Sequence, residues 1–327
     1  MGRGTGLISM ALAGMILCAG LGTRLRPLTA LEPKPAVPVC GVPLIRFSLG
    51  LLAGAGIRRA VVNLHHLPER MEAVARGAAA ELGLELAVSR EPVLAGTGGA
   101  LREARAHLAG AEAVVLLNGD VLFDADLAAA LVAHRATGAL ATMLLLPMPA
   151  GARYAAVEID EGGRVRRIAG RFGPGGPGLT PWHFPGVHVL SPELLDRLPA
   201  DPFECDVNRH LYPPLMARGL VRGLVTSGAW RDLGTPAAYL AANLELAAGR
   251  FPLGRFAGLG RPPAVAPDAE VAPGAVVVEA VLGSGCRIPA GARVERAVVW
   301  PGTVLAPGEV VVDAIAAGSL RVPAGSL

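Results

Sequence analysis

The side chains best suited to phosphate chemistry follow the first apolar run of the chain. Gly20 and Gly22 lack Cβ atoms, so the backbone can turn sharply there and bring its N–H groups close to phosphate oxygens. Arg24 and Arg26 add guanidinium groups whose shape matches phosphate, and Lys34 follows. This order of residues predicts a cradle for a triphosphate or a pyrophosphate, whereas the two glycines alone are more typical of an ordinary turn.

Lys34 is the only lysine in a chain of 327 residues that has 30 basic residues. It stands between Pro33 and Pro35, whose fixed φ angles predict a segment that is not helical. Arginine cannot replace lysine where a compact ammonium on a flexible stem is needed. We therefore expect Lys34 to have a specific role at an anionic ligand.

A regular alternation of apolar runs and amphipathic segments must position these residues. The runs GMILCAG, AVVNLHH, LELAVSR, AVVLLNGD and ALATMLLLP predict strands, and the segments ERMEAVARGAAAELG, GALREARAHLAG and DLAAALVAHRATG predict helices. Such alternation predicts an α/β fold with a mostly parallel sheet covered on both faces. Ligands bind at the carboxyl ends of the strands in such sheets, and Asp120 follows one of them directly.

The pattern changes after residue 250. Residues 251–263 are rich in Gly, Pro and Arg and predict a linker. In residues 264–327 aliphatic residues recur at about every sixth position, with Pro-Gly turns between them. The residues that carry this step are Val265, Val271, Val277, Leu282 (one residue short), Ile288, Val294 and Trp300. The step predicts a parallel β-helix of two or three coils; an irregular tail is the alternative.

Composition excludes several classes of protein. With 52% hydrophobic and 17% charged residues the chain can bury a core, so it is not disordered. A net charge of +3 argues against binding to nucleic acid or to a membrane surface. The excess of basic over acidic residues in residues 1–60 suits a small anionic ligand or a solvated basic face.

The remaining composition predicts a cytoplasmic protein. The cysteines are scattered along the chain without the spacing of metal ligands, so we expect them to be reduced and buried in the core. They are Cys18, Cys40, Cys205 and Cys286. The apolar start has neither the charged region of a signal peptide nor the length of a membrane span. Residues 1–9 are predicted to be a dispensable extension before a start at Met10 or Met15.

Several motifs lie in a fixed order along the chain. They are GLGTRLRPLT with PKPAVPV and GVPLI, EPVLAGTGGALREA, VVLLNGDVLFDADL, YAAVEIDEGGRV, FPGVHVLSPELLDRLP and WRDLGTPAAYLAAN. With the hexapeptide tail, this set resembles the sugar-1-phosphate nucleotidyltransferases, also called nucleotide-sugar pyrophosphorylases, from about Met10 onward. The resemblance implies a Rossmann-like nucleotidyltransferase domain at residues 1–250 and a short left-handed parallel β-helix at residues 264–327.

The resemblance also implies a reaction and its cofactor. A phosphate oxygen of a sugar-1-phosphate attacks the α-phosphorus of a nucleoside triphosphate and expels pyrophosphate, while the protein aligns the reactants and neutralises charge. Asp120 and Asp232 would hold Mg²⁺, which proteins usually bind through one or two carboxylates. Lys34 would contact the phosphates, and Arg24 would stabilise the charge on the transferred group and on pyrophosphate.

Carried over by position, the motifs imply three groups of site residues. The catalytic residues are Arg24, Lys34, Asp120 and Asp232. The nucleotide-binding residues are Ala19, Gly20, Gly22, Thr23, Arg24, Gly96, Thr97, Gly98 and Gly99. The sugar-side residues are Tyr154, Glu158 and Arg171, with Asp206 as a further candidate.

Local structure is an alternative explanation for several of these residues. Asp120 follows Asn-Gly, a turn-prone pair, and Asp232 could be a surface residue of a turn. The GTGG segment could be only a loop before a helix. Glu158 could be a solvated strand residue, and Asp206 a helix N-cap.

The sugar side departs from the family pattern. Ala155 replaces the glycine that often follows the hairpin tyrosine, and the segment after the hairpin lacks the usual Glu-Lys-Pro. The chain resembles the mannose-1-phosphate guanylyltransferase branch most, so GTP and mannose-1-phosphate are the expected partners. Glucose-1-phosphate thymidylyl or uridylyl transfer, N-acetylmuramate-1-phosphate uridylyl transfer and a non-catalytic regulatory paralogue are alternatives. The β-helix could form a homo-oligomer contact.

Overall fold

The computed structural model describes residues 12–151, 154–200 and 204–325. The predicted extension at residues 1–9 lies outside these ranges. In chain order, the strands as far as residue 232 are β1 (Leu12–Leu17), β2 (Pro38–Val39), β3 (Val42–Pro43), β4 (Arg59–Leu64), β5 (Glu85–Arg90), β6 (Ala113–Asn118), β7 (Val121–Phe123), β8 (Ala141–Leu145), β9 (Ala156–Ile159), β10 (Val165–Ile168), β11 (Thr180–His183), β12 (Val187–Leu190), β13 (Val221–Val225) and β14 (Trp230–Asp232). The helices are α1 (Leu44–Gly54), α2 (Pro68–Glu81), α3 (Gly96–Glu103), α4 (Arg105–Leu108), α5 (Leu127–Thr137), α6 (Pro192–Leu195), α7 (Tyr212–Ala217) and α8 (Pro236–Ala247).

A seven-stranded sheet in the order β13-β8-β12-β6-β1-β4-β5 forms the centre of the fold. Its neighbouring strands are parallel except that β12 runs antiparallel to β6 and β8. The predicted α/β fold with a mostly parallel sheet is therefore confirmed. All five predicted strands belong to this sheet. Within the described ranges, no helix has both the length and the apolar character needed to cross a membrane.

Helices bury both faces of the sheet because side chains alternate along each strand. On β1, Ile16 packs into a cluster with residues of α1, α2, α5 and α8. Its neighbour Met15 points to the opposite face and packs with residues of α3, α6 and α7. Both side chains are fully buried. Burial on both faces explains why the strands read as continuous apolar runs in the sequence.

The helices differ from the prediction, which included α2, α5 and one helix over α3 and α4 but not α1, α6, α7 or α8. The predicted helix GALREARAHLAG is divided at Ala104 into α3 and α4. No helix was predicted over α1, whose residues 44–53 are all buried. A helix buried on every side is apolar along almost its whole length, and an apolar run of this kind cannot be distinguished from a buried strand by its pattern alone.

The C-terminal region consists of short strands in parallel stacks. Its strands are β15 (Glu270–Val271), β16 (Val276–Val278), β17 (Val281–Leu282), β18 (Arg287–Ile288), β19 (Arg293–Glu295), β20 (Val298–Val299), β21 (Val310–Val312), β22 (Ala314–Ala317) and β23 (Leu320–Pro323). Glu270 pairs with Arg287 and Val281 with Val298, so each strand pairs with a segment seventeen residues further on. These parallel stacks are compatible with the predicted β-helix, and the antiparallel strand β23 closes one of them.

Trp300 does not occupy the inward position that the six-residue step assigns to it. Val299 pairs with Leu282 and lies in the same buried cluster as Ile288 and Val294. A repeat of seventeen residues contains two steps of six and one of five, so the aliphatic position falls one residue earlier than a constant step of six predicts. The Trp300 side chain instead packs toward the α/β region.

Hydrogen bonds join the C-terminal strands to the α/β region. The Trp300 indole Nε1–H donates to the Tyr239 hydroxyl at 2.9 Å, and this hydroxyl donates to the carbonyl of Pro38. On the same helix, the Asn243 side-chain oxygen accepts from the Cys40 N–H at 2.7 Å. Helix α8 therefore lies between the C-terminal strands and the segment that follows Lys34.

The predicted linker also contacts the core. Phe251 and Phe256 are buried in the cluster that includes α1. The Arg46 guanidinium donates to the carbonyls of Ala257 and Gly258, both at 3.1 Å. The predicted domain boundaries at residues 250 and 264 remain predictions.

Candidate active site

Strand pairing brings Asp120 and Asp232 together from distant parts of the chain. Asp120 lies in the turn between β6 and β7. Strand β14 runs antiparallel to β7, so that Asp232 pairs with Val121, the residue next to Asp120. The two carboxylates consequently share the carboxyl end of the central sheet, where ligands of α/β proteins bind.

The Lys34 ammonium lies between these two carboxylates. Its Nζ donates to Asp120 Oδ2 at 2.9 Å and to Asp232 Oδ1 at 3.5 Å. Only 5% of the Lys34 side chain is exposed, against 42% for Asp120. A buried ammonium needs such partners, because an unpaired charge away from water is strongly destabilising. The only lysine of the chain is therefore fixed at the position where two carboxylates meet.

The segment that carries Lys34 is a single 3-10 turn, Lys34–Ala36. This corrects the prediction that the flanking prolines exclude helical structure. Pro35 is the second residue of the turn, where its missing N–H would have had no helical partner. Pro33 precedes the turn with an extended ψ angle of 145°. The prolines thus limit the turn to three residues and do not prevent it.

Arg24 completes a cluster that we call the charged end of the site: Arg24, Lys34, Asp120 and Asp232. Arg24 Nη1 lies 3.4 Å from Asp232 Oδ2, and 65% of its side chain is exposed. It follows the left-handed residue Gly22 in the short 3-10 turn Thr23–Leu25. All four residues that the resemblance assigns to catalysis are therefore in one place.

Gly22 is required by the tight turn that carries Arg24. Its φ angle is +57°, and a Cβ atom there would lie 2.9 Å from Thr29 Cγ2 and 3.1 Å from Lys34 Cβ. Gly20 and Gly22 line a small cavity of about 190 Å³ with Lys34 and Asp120. Of the other two residues predicted in this loop, Ala19 is buried and Thr23 is exposed.

The predicted base-side glycines form the start of α3. The N–H groups of Gly98 and Gly99 donate to the carbonyl of Cys205 at 2.6 and 3.1 Å. A Cβ atom on Gly98 would lie 2.6 Å from the Cys205 sulfur. Gly96 precedes them with a φ angle of +73°. The glycines thus permit close packing against residue 205, and their predicted contact with the nucleotide stays a prediction.

Thr97 and Asp206 also join the start of α3 to the segment around residue 205. The Thr97 hydroxyl donates to Asp206 Oδ2 at 3.2 Å. The other oxygen, Oδ1, accepts from the N–H groups of Asn208 and Arg209 at 2.9 and 3.0 Å. Asp206 is therefore an N-cap, the alternative that its sequence context offers, and it also lines a cavity of about 510 Å³.

Sequence reasoning missed a buried polar network behind the loops. Asn63 accepts from the Cys18 N–H at 2.7 Å and donates to Glu91 Oε1 at 2.7 Å. Glu91 also accepts from the N–H of Ala95 at 3.2 Å. The network ties the loop after β1 to the loop before α3. The available signal was Asn63 itself, a polar residue inside the apolar run AVVNL.

An aromatic cluster lines the cleft beside the charged end, and we call it the aromatic end: Tyr154, His183 and Trp230. The His183 ring lies 4.7 Å from the Tyr154 ring and 4.3 Å from the Trp230 ring, between ring centres. All three line a cleft of about 860 Å³ together with Arg24 and Asp232. Burial raises the pKa of the Tyr154 hydroxyl, and the charge of Asp232 adds to this effect.

The other two predicted sugar-side residues have partners outside this cleft. Glu158 on β9 forms a two-fold ion pair with Arg167 on β10, with one contact at 3.0 Å. Arg171 is exposed, and its guanidinium carbon lies 5.5 Å from the centre of the Phe172 ring. Neither residue lines the two larger cavities. Their predicted role in sugar binding stays a prediction.

The charged end has the donors that Mg²⁺ requires. One oxygen of Asp120 and one of Asp232 approach the same ammonium, so both can approach a single cation at that place. The described residues contain no group of three or more His, Cys, Asp or Glu side chains around a common point. Two carboxylates are enough for Mg²⁺, because phosphate oxygens and water complete its coordination.

Comparison with known proteins assigns the chain to a family. Residues 13–249 match the family model described as nucleotidyl transferase. The chain belongs to the nucleotidyl transferase family. The predicted family is therefore confirmed, and the charged end lies within the part of this nucleotidyl transferase that the family model matches.

Three relatives of this nucleotidyl transferase have names that include mannose-1-phosphate guanylyltransferase. A mannose-1-phosphate guanylyltransferase of Mycobacterium tuberculosis is 34% identical over 291 residues, which cover 88% of this chain and 79% of the relative. A probable mannose-1-phosphate guanylyltransferase of Oryza sativa subsp. japonica is 29% identical over 86% of this chain and 82% of the relative. The catalytic subunit beta of a mannose-1-phosphate guanylyltransferase of Drosophila melanogaster is 29% identical over 69% of this chain and 60% of the relative.

Proposed function

We propose that the chain is a Mg²⁺-dependent mannose-1-phosphate guanylyltransferase, which converts GTP and mannose-1-phosphate into GDP-mannose and pyrophosphate. The observation that carries the reaction is the contact of one buried ammonium with both Asp120 and Asp232. The choice of substrates rests on the relatives, which are named mannose-1-phosphate guanylyltransferases and align with most of this chain.

The charges of the site suit a reaction between two phosphates. The attacking phosphate and the triphosphate are both anionic, so the protein must neutralise charge and hold the reacting atoms in line. Lys34 donates to the attacking phosphate and to the α-phosphate. Arg24, exposed at the mouth of the cleft, stabilises the charge that develops on the leaving pyrophosphate. The N–H groups near Gly20 and Gly22 contact the nucleotide.

Asp120 and Asp232 would hold the metal ion. Bound Mg²⁺ supplies positive charge to the phosphate oxygens of the nucleotide. The two carboxylates also keep the Lys34 ammonium in place before substrates bind, because they are its partners within the described residues. In the proposed enzyme the two carboxylates would hold the ion, and the Lys34 ammonium would donate to phosphate.

Pyrophosphate release tests the proposal directly. Each common nucleoside triphosphate is combined with mannose-1-phosphate, glucose-1-phosphate and N-acetylmuramate-1-phosphate in the presence of Mg²⁺. We expect the highest kcat/KM for GTP with mannose-1-phosphate. A faster reaction with glucose-1-phosphate and dTTP or UTP would move the chain to another branch. No release with any pair would favour a regulatory protein without turnover.

The C-terminal strands have a separate proposed role. The parallel stacks with a repeat of seventeen residues support a short left-handed parallel β-helix. Val276, Val278 and Val310 are exposed on one of these stacks, which supports a contact between copies of the chain. The molar mass in solution, measured by light scattering, tests this assembly. The four cysteines are buried and form no disulfide, which supports a cytoplasmic location.

A further inference from the structure

Among the residues that the structure describes, His183, at the end of β11, has no hydrogen-bond partner for either ring nitrogen. Its side chain is almost completely buried, with only 3% of the residue exposed. The indole N–H of Trp230, which packs against it, also has no partner in this part of the chain. Buried polar atoms are normally hydrogen-bonded, and each one left without a partner costs about 1–3 kcal/mol.

The other buried histidines of the α/β region show the usual arrangement. The two ring nitrogens of His134 contact the hydroxyls of Thr142 and Ser191 at 2.8 and 3.0 Å. His188 contacts the Tyr212 hydroxyl through Nδ1 at 2.9 Å. Both of these histidines lie away from the cleft of about 860 Å³. The histidine that lines the cleft is therefore the one whose ring nitrogens lack partners.

His183 is also in the right place to meet a ligand. It lines both the cleft of about 860 Å³ and the cavity of about 510 Å³, and Tyr154 is the other residue common to both. The cavity is also lined by Asn208, whose buried side-chain oxygen has no partner in residues 12–151, 154–200 and 204–325. Because 39% of Tyr154 is exposed, its ring can turn toward solvent. The turn would join the two cavities and uncover the His183 ring.

The chemistry of a buried imidazole fits a sugar. Burial lowers the pKa of His183, so the ring is neutral at physiological pH, although the charge of Asp232 opposes this effect. A neutral imidazole presents one N–H donor and one nitrogen acceptor. A sugar hydroxyl is both a donor and an acceptor, and neighbouring hydroxyls can satisfy both ring nitrogens. Aromatic rings such as Tyr154 and Trp230 suit the apolar face of a sugar ring.

We propose that His183 is the residue that recognises the sugar hydroxyls of the sugar-1-phosphate. This inference rests on the proposed function, because it assigns the sugar part of that reaction to the aromatic end. It also explains how a chain without the family's Glu-Lys-Pro binds a sugar: the polar contact comes from the imidazole of His183 on β11, next to Trp230.

The test compares His183→Phe with His134→Phe. His183→Phe keeps a planar ring between Tyr154 and Trp230 and removes only nitrogens that lack partners. We expect the KM for mannose-1-phosphate to rise about 10- to 100-fold, as for the loss of one or two hydrogen bonds. The KM for GTP stays within about twofold, and the melting temperature is unchanged or higher. His134→Phe lowers the melting temperature and leaves both KM values unchanged.

Deoxy analogues of mannose-1-phosphate identify the hydroxyl. With the native enzyme, the KM for an analogue that lacks the recognised hydroxyl is higher than the KM for mannose-1-phosphate. With His183→Phe, these two KM values are the same. If His183→Phe does not fold, His183→Ala with the same analogues answers the same question. Native turnover with an unchanged sugar KM in the variant overturns the role of His183 and leaves the proposed function intact. No turnover by the native protein overturns both.

Discussion

At the charged end of the cleft, Lys34 contacts two carboxylates and Arg24 contacts one of them. At the aromatic end, His183 on β11 and Trp230 on β14 bury polar nitrogens that have no partner within the described ranges. One end is electrostatically balanced before any substrate binds, and the other has hydrogen-bonding capacity that these residues do not use.

The difference indicates two ways of preparing a site. Charged groups must be paired in advance, because a buried charge without a partner destabilises the fold far more than a neutral group does. A neutral imidazole can stay without a partner until its ligand binds, at a cost of about 1–3 kcal/mol. Substitutions at the charged end should therefore change turnover most, and substitutions at the aromatic end should change sugar affinity.

The largest expected effect is at Asp232, which contacts both cations of the charged end. Asp232→Asn keeps the shape of the side chain and removes its charge, so we expect kcat to fall by about 10³ with little change in melting temperature. Pyrophosphate release measures kcat. Asp268→Asn, in the C-terminal region, is the matched control and should turn over normally. An Asp232→Asn enzyme with native kcat would remove this carboxylate from the metal site.

Lys34→Arg tests whether charge alone is enough at that position. The Lys34 side chain is 5% exposed, so the space between Asp120 and Asp232 has little room for a larger planar guanidinium. We expect kcat to fall by about 10². The exchange Arg76→Lys on the surface of α2 controls for swapping the two cations. If Lys34→Arg turns over normally, the role of the only lysine is charge and not shape.

A smaller effect is expected from Trp300→Phe, which removes the hydrogen bond to Tyr239. Tyr239 in turn contacts the Pro38 carbonyl, in the segment that follows Lys34. The hydrogen bond contributes about 1 kcal/mol to holding this segment in place, so its loss should lower kcat roughly three- to tenfold. Trp300 would then be a positioning residue. A lower melting temperature with unchanged kcat, measured well below that temperature, would mean that Trp300 only stabilises the fold.

The smallest effect should come from Arg171→Ala. The sequence predicts an anion contact for Arg171, but its exposed position over Phe172 lies outside both cavities. We expect the KM for mannose-1-phosphate to stay within about twofold, in contrast to His183→Phe. A rise of tenfold or more would restore the sequence prediction and bring the hairpin into the sugar site. The two variants together decide which side of the cleft binds the sugar.

Sequence reasoning located the charged end because its signals are residue types in a fixed order. Lys34 was conspicuous as the only lysine, and Asp120 follows an apolar strand, where ligands bind in a parallel sheet. Such residues can be read without coordinates, because their charge is visible in the sequence. The parallel sheet was also predictable, since strands buried on both faces are continuously apolar.

The aromatic end could not be predicted in the same way. His183 is one of seven histidines, and what distinguishes it is the absence of a partner, which only the packing of β11 against Tyr154 and Trp230 shows. The Asn63–Glu91 contact joins a residue of β4 to the loop after β5, so neither residue indicates it alone. Trp300 was assigned to the inward position because one step of five residues in each repeat of seventeen shifts the count.

The hydrogen bond from Trp300 to Tyr239 also has a consequence for biosynthesis. Lys34 leaves the ribosome early, but the strand β20 that Trp300 follows is made near the end of the chain. At about 5–20 residues per second, the interval is on the order of ten to fifty seconds. During that interval the nascent protein has Arg24 and Lys34 but not the indole that supports their part of the site. A residue made late therefore completes the support of a segment that is made early.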